Sequence, residues 1–349
     1  MNYLLKKLFY SLLVLLGVVV LVFIMFQGFG DPARMIVGQT GDKKTMDNIR
    51  SDLYLNQPKW KQFVLYLNDV SPVCIHSKAD IEKKQLSGFF IGSDTKFGIK
   101  MPYLRKSYQT KKEVGKVLME ALPGTLILAI SAMLFASIIG ILLGVVAAVK
   151  KGTWMDTTAV FSSIAGISAP SFFMAIIIAY LFGIVLHDYT GLNLTGSWFD
   201  IDEVTGEKYL TLKNLVLPAF TLGIRPLAII TQLTRSSMLD VLNQDYIRTA
   251  YAKGLGNKQV IFKHALRNAL NPVITAITGW FAELLAGAFF VEYIFGWKGI
   301  GKITVDALEK LDYPVVMGSV LLSACIFIII NLFADLLYRI VDPRIKSLN

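Results

Sequence analysis

The sequence predicts an all-α, polytopic membrane protein with six transmembrane helices, and three observations predict it. Hydrophobic residues make up 54% of the 349 and charged ones only 17%, with a mean hydropathy of +0.55; soluble domains carry about 25% charged residues. The apolar residues cluster in runs that reach the roughly 20 residues a helix needs to cross a bilayer. Basic residues gather in alternate short loops, which is the pattern that fixes orientation.

The first run, Leu8–Phe29, follows Lys6 and Lys7. It is too long for a signal peptide and no small-residue cleavage site follows it cleanly. The later runs are Leu122–Val149, Val160–Leu186, Leu215–Leu233, Pro272–Ile294 and Pro314–Tyr338. Each must be helical, because backbone groups in lipid have to be satisfied within the segment. Residues 1–29 thus form the N-terminus and first helix, 30–121 an extracytoplasmic segment, and 122–349 a five-helix core. Within the outer segment, Lys44–Leu53 and Pro58–Leu67 carry short helical patterns before a Gly- and Lys-rich stretch. That segment reads as a solvated scaffold.

An N-terminus inside the cell puts Lys6, Lys7, Lys150, Lys151, the loop 243–271, Arg339, Arg344 and Lys346 on the cytoplasmic side. The short outer loops then hold Lys208, Lys213, Lys298, Lys302 and Lys310. Both termini face the cytoplasm, and a long translocated segment such as 30–121 escapes the charge rule. The net charge of +10 fits these flanks in part. No basic patch with interleaved aromatics points to nucleic acid.

The chemistry of a site is sparse. Cys74 and Cys325 read as free thiols, and His76, His187 and His264 lie in separate loops without metal-ligand spacing. Neither a G-x-S-x-G elbow nor an H-E-x-x-H helix occurs. The run Gly296–Lys302 fits a P-loop until its last position, where Ile303 replaces the magnesium-binding Ser or Thr. The expectation is a non-catalytic chain with no catalytic residue, bound cofactor or metal of its own.

The loop 243–271 is different in kind. It carries Arg248, Lys253, Lys258, Lys263, His264 and Arg267. Asp245 is expected to cap a helix in which Tyr246, Ile247, Ala250 and Tyr251 recur at helical spacing until Gly254 ends it in a left-handed cap. Asn257 is expected to cap a second helix bearing Val260, Ile261, Ala265 and Leu266, with Pro272 in the first turn of the next span. The alternative is an amphipathic segment lying in the lipid headgroups.

At this loop the sequence resembles the permease subunits of ATP-binding-cassette (ABC) importers. Their coupling motif runs E-A-A, three residues, G, nine residues, I-x-L-P. Ala250, Gly254 and Leu266 match it; Arg248, Thr249, His264 and Arg267 depart from it. DYIRTAYAKGL and HALRNALNPV resemble the dipeptide, oligopeptide and nickel branch in particular. So do Gly30–Arg34, Ala121–Leu126, Ser168–Phe172, Leu284–Ala288, Val291–Glu292, Phe295–Gly301, Asp312–Val316 and Asp342–Arg344. Residues near 70–95 stand apart as an insertion.

The resemblance implies a type I, MetI-like permease fold in a bacterial inner membrane. It further implies a heterodimer with a second, related permease subunit, two cytoplasmic ATP-binding subunits and an extracytoplasmic substrate-binding protein. Peptide is the implied substrate, with nickel or another metal complex as the alternative. A stand-alone ion-driven carrier is a more distant one, expected to show inverted repeats. The ATPase would grip Asp245, Tyr246, Arg248, Thr249, Ala250, Ala252, Lys253 and Gly254. Small hydroxyl residues of the spans, and Gly140 with Gly144, are read as helix contacts. Arg225 and Glu283 lie at depths where charges find partners or water; an ion pair between them is favoured over direct contact with substrate. Asn331 and Asp335 are read as local capping residues.

Overall fold

The computed structural model describes residues 2–28, 43–201 and 205–341. The segments Gly30–Arg34 and Asp342–Arg344 fall outside them, as do Arg344 and Lys346. In chain order the main elements begin with α1 (Asn2–Gly28), α2 (Lys43–Asp52), α3 (Lys59–Val70), β1 (Val73–Ser77), α4 (Lys78–Lys84), β2 (Gly88–Ile91) and β3 (Thr95–Lys100). Next come α5 (Val114–Val149), α6 (Trp154–Ser168), α7 (Ser171–Tyr180), β4 (Phe199–Ile201) and β5 (Lys208–Leu210). The chain continues with α8 (Val216–Leu242), α9 (Asp245–Ala252), α10 (Leu266–Gly287), α11 (Phe289–Ile294), α12 (Ile300–Glu309) and α13 (Tyr313–Val341). The architecture is mostly helical, with two small antiparallel sheets among the described residues.

Among the described residues four helices are long and apolar enough to cross a membrane: Leu5–Gln27, Val114–Val149, Leu212–Leu242 and Tyr313–Asp335. The expected third span is not continuous. Its halves, α6 and Ser171–Val185, meet at a bend of 107°. The cause is local: Pro170 has no N–H to donate and pushes Ala169 out of helical geometry, to φ −80° and ψ 128°. The expected fifth span departs further. Its helix begins earlier, at Leu266, keeps Pro272 inside rather than in its first turn, and stops at Gly287 before the separate α11. Arg267, Asn268, Asn271 and Glu283 interrupt the apolar face of α10, which is not among the four spanning helices.

The chain divides into two compact units. One comprises Met1–Ala121 and Ile303–Cys325. Its core packs Val19, Val22 and Phe26 of α1 with Leu53, Tyr66, and Tyr313, Met317 and Leu321 of α13. The Gly- and Lys-rich stretch forms a three-stranded antiparallel sheet in the order β1-β3-β2, with Val73 opposite Ile99 and Ile91 opposite Phe97. Strand alternation buries Cys74 and His76 on one face and leaves Val73, Ile75, Phe89, Ile91, Phe97 and Ile99 exposed on the other. Asp312, before α13, is a buried hub: its carboxylate accepts from the Ser107 hydroxyl at 2.5 Å and from the Tyr108 N–H at 2.9 Å.

The other unit comprises Leu122–Lys302 and Ile326–Asn349. Here α5 and α8 pack closely at the two glycines four residues apart. A Cβ on Gly140 would lie 2.9 Å from Ile230, and one on Gly144 2.5 Å from Thr234, so side chains larger than hydrogen are excluded there. The hydroxyls of Thr221 and Thr231 donate back to the carbonyls of Leu217 and Leu227, both at 2.8 Å, and so serve the helix itself. Asp156 and Arg235 form a two-point ion pair between α6 and α8, at 2.5 and 2.9 Å.

Candidate functional site

The loop after α8 folds as a compact helix, turn and helix. Gln244, not Asp245, is the N-cap residue of α9, with extended backbone at φ −76° and ψ 148°. Asp245 is instead the first helical residue, where a carboxylate still complements the positive end of the helix. It also lies 3.6 Å from Arg248. Gly256 likewise takes the cap position expected of Asn257. The Asn257 side chain closes the turn instead, its Oδ1 accepting from the Tyr251 hydroxyl at 2.8 Å.

Gly254 ends α9 at φ +78°, in the left-handed region. The Gly254 N–H donates to Tyr251 O at 2.9 Å and the Leu255 N–H to Ala250 O at 3.3 Å, as in a left-handed cap. A Cβ there would meet nothing within 4 Å. The requirement for glycine is therefore conformational rather than one of space.

The two faces of α9 differ sharply. Ile247 and Ala250 are buried in a cluster with Val145, Ala148, Met238, Val260, Ile261, Ala265 and Ala269. Asp245, Tyr246, Arg248, Thr249, Ala252 and Lys253 are exposed. The Tyr246 hydroxyl is steadied by the Asn268 amide at 3.0 Å. Of the eight residues expected to meet a partner, Ala250 alone faces inward, where it anchors the helix. Ile247 shares that anchoring role. The inward apolar pair three residues apart was legible in the helical spacing, but the spacing alone did not say which face would be covered.

Arg225 and Glu283 do not pair. The Arg225 guanidinium instead lies over the Trp280 ring, 5.3 Å from its centroid, a favourable position for a cation. Glu283, one turn further along α10, is exposed, as is Arg225. An ion pair that the second unit does make between helices, Asp156 with Arg235, was missed because both residues fall just outside the spans expected from hydropathy, where a charge reads as an interfacial flank. Asn331 donates to Phe327 O at 2.9 Å within its own helix.

A second constellation joins residues far apart in sequence. Glu292 is fully buried. Its Oε1 accepts from the Thr125 hydroxyl at 2.7 Å, and its Oε2 from the Lys302 N–H at 3.1 Å. The Thr125 oxygen in turn accepts from the Ile300 N–H at 2.9 Å, and the Trp297 indole donates to Gly124 O at 2.9 Å. A Cβ on Gly124 would lie 2.0 Å from Lys298 O, and one on Gly299 2.3 Å from the Glu292 carboxylate. The segment 296–302 is thus an ordered loop wrapped on a carboxylate. This disposes of the P-loop resemblance, since Gly299 and Gly301 serve close packing here.

Residues 140–347 match the family model described as "Binding-protein-dependent transport system inner membrane component". The chain belongs to that family. Residues 1–129 match a second model, "Binding-prot-dependent transport system membrane comp, N-term". The dipeptide transport system permease protein DppB of Alkalihalophilus pseudofirmus is 35% identical, with 99% of each chain covered. The protein of the same description from Haemophilus influenzae is 44% identical over 69% of this chain and 76% of its own. A solved structure of the MetNI methionine ABC transporter, described as inward facing, matches at a TM-score of 0.50 and 17% identity over 65% of this chain and 96% of its own. That likeness concerns the fold, which is MetI-like.

Family membership places the protein in the inner membrane as a multi-pass permease. Several segments that carry the family resemblance meet at the buried contacts described above: Ala121–Leu126, Val291–Glu292 and Phe295–Gly301 around Glu292, and Asp312–Val316 at Asp312. The loop 243–271 instead leaves one face of α9 exposed.

Proposed function

We propose that the chain is one membrane subunit of an ABC importer for di- and oligopeptides. It contributes half of the translocation path and takes its drive from ATPase subunits gripping α9. A second, related permease subunit completes the path, two ATP-binding subunits dock from the cytoplasm, and a substrate-binding protein delivers peptide from outside. Both termini lie in the cytoplasm, and residues 30–121 lie outside. The chain itself performs no catalysis. The dipeptide permeases it resembles support peptide over nickel.

The observation that carries this reading is the two-faced α9. One face is sealed onto the hydrophobic ends of α5, α8 and the segment following Gly256, so a push on the helix is transmitted to them. The other face offers Tyr246, Arg248, Thr249 and Lys253. An amphipathic helix resting in lipid would turn its apolar face to the membrane; here that face is covered by protein. Arg225 and Glu283, exposed on α8 and α10, are read as facing the second subunit or the path, because bare charges are not stable against lipid.

The test is reconstitution with the partner subunits in liposomes. Gly254→Asp, which forces a non-glycine residue into left-handed backbone, should uncouple ATP hydrolysis from uptake. Survival of both peptide transport and peptide-stimulated ATPase activity would overturn the coupling role. Uptake by the chain without ATPase subunits would overturn the importer reading in favour of an ion-driven carrier.

A further inference from the structure

The long spanning helices expose large apolar side chains, such as Leu13 of α1, Ile138 of α5 and Phe333 of α13. Surfaces that meet lipid have to. The helix α10 differs, because no large apolar side chain among its described residues is exposed. Ala269, Val273 and Leu285 fix it to the core. Its exposed positions include a line that recurs every four residues, Arg267, Asn271, Thr275, Gly279 and Glu283, which is the spacing of one helical face. A Cβ on Gly279 would meet nothing within 4 Å. Such a face meets water or protein, since polar and ionisable side chains are expensive against hydrocarbon.

Two opposite charges stand at the Glu283 end of this face. Among the described residues the exposed Glu283 carboxylate has no hydrogen-bond or ion-pair partner. Arg225, exposed on the adjoining α8, is held by the Trp280 ring, its Cζ 5.3 Å from the centroid. That contact fixes the guanidinium and leaves its N–H groups for an oxygen acceptor. Trp280 and Glu283 lie three residues apart on α10, and residues so spaced are surface neighbours with Cβ atoms about 5–6 Å apart. A cation and a carboxylate are thus presented about one helical turn apart, and neither neutralises the other. What complements them is a molecule that carries both charges at short separation. A short peptide does so, its two charged ends being spaced by residues of at most about 3.3–3.6 Å each.

We propose that Glu283 and Arg225 form a two-point site for a zwitterionic short peptide on the translocation path. The Glu283 carboxylate accepts from the peptide's α-ammonium group, and the Arg225 guanidinium donates to its C-terminal carboxylate. A planar guanidinium matches the two oxygens of a carboxylate. The open space at Gly279 takes the peptide body. This inference rests on the importer reading above and names the two peptide ends as what the path recognises.

The experiment is equilibrium binding to the nucleotide-free permease–ATPase complex in nanodiscs, without the substrate-binding protein. The probes are radiolabelled dialanine, N-acetyl-dialanine, which lacks the ammonium group, and dialanine amide, which lacks the carboxylate. Dialanine should bind about ten- to hundredfold more tightly than either capped form, the range expected for losing a charged hydrogen-bond partner. Glu283→Gln should lower dialanine to the affinity of the N-acetyl form and leave that form unmoved. Arg225→Gln should do the same for the amide, and Glu283→Asp should retain part of the selectivity. A merely structural role would not produce this crossed pattern. Equal binding of the three probes, no saturable binding of dialanine, or variants that weaken all three alike would overturn the site. Displacement of dialanine by equimolar alanine would assign the site to free amino acids and overturn the peptide assignment. Loss of the second permease subunit when either variant is purified would assign the two charges to a subunit contact, which also overturns it. Dipeptide uptake in the complete system separates the two readings. Uptake without end-group selectivity in binding defeats this inference alone, and no uptake at all defeats the importer reading.

Discussion

Thr125→Val tests whether the loop 296–302 is held by the Glu292 hub. Valine keeps the shape of threonine and removes its hydroxyl, so packing is conserved while two hydrogen bonds are lost. One is the 2.7 Å bond to the buried carboxyl, the other the 2.9 Å bond from the Ile300 N–H. A hydrogen bond to a charged or ionisable group contributes about 1.5–3 kcal/mol and a neutral one about 1 kcal/mol, and the partners stay buried and unsatisfied. The loop 296–302 should therefore open more easily by about 2.5–4 kcal/mol, or roughly 60- to 700-fold at 1.4 kcal/mol per tenfold. Hydrogen exchange read by mass spectrometry on peptides spanning 292–302 measures this directly. Exchange elsewhere in the second unit, for example along α8, should change little. Unchanged protection of the Ile300 and Lys302 amides would refute the claim that Thr125 and Glu292 organise the loop.

Gly254→Ala isolates the conformational cost, since no atom obstructs the new Cβ. It should destabilise the turn by about 1–2 kcal/mol and weaken ATPase-subunit binding in a pull-down, with Gly254→Asp weaker still. Ile247→Ala opens a cavity under α9 and should cost about 2–4 kcal/mol, seen as faster exchange of the 245–255 amides. Gly144→Leu places a side chain where even a Cβ would lie 2.5 Å from Thr234; the folded monomer should be lost on size-exclusion chromatography, while Gly17→Leu, with nothing within 4 Å, should be tolerated. Burial, with Lys84 nearby, lowers the His76 pKa; Lys100 acts in the same direction, and Asp69 and Asp80 oppose it. The unfolded chain thus binds the proton more readily, so the sheet should keep full stability above about pH 6.5 and lose it as pH falls below that value. Amide protection of β1 and β3 at pH 7.5 and 5.5 measures this loss, and His76→Asn should flatten it.

What the sequence made legible followed the strength of its periodicity. Long apolar runs located α1, α5, α8 and α13, because only a helix satisfies a backbone in lipid. The two short amphipathic patterns before residue 70 became α2 and α3. The sheet at 73–100 was missed: Phe97 and Ile99 do alternate with Lys96, Gly98 and Lys100, but in β1 Cys74 is apolar like Val73 and Ile75 and blurs the pattern, and Gly88, Gly92 and Gly98 suggested loop. The third span was expected unbroken because hydropathy does not register that Pro170 removes a donor. The Arg225–Glu283 pair failed for another reason. Depth in a span says that a charge needs company, but the company can be an indole, and Trp280 was closer.

The same limits explain why the helix, turn and helix of 243–271 were easier to read than the Glu292 hub. A surface helix announces itself locally, through caps, a left-handed glycine and a stripe of apolar residues, all within twelve positions. A hub is assembled from positions 124–125, 292 and 297–302, and no local pattern connects Thr125 with a carboxyl 167 residues away. What the sequence did show were runs of glycine beside bulky residues, which look like turns when read singly. In three dimensions Gly124, Gly299 and Gly301 are the places where backbone and carboxylate come within contact distance. A glycine-rich loop flanked by an acidic residue after an apolar run is therefore better read as packed on that residue than as a phosphate cradle. The exposed, basic and aromatic α9 is the reverse case, a segment whose polar face is turned away from the body of its own chain.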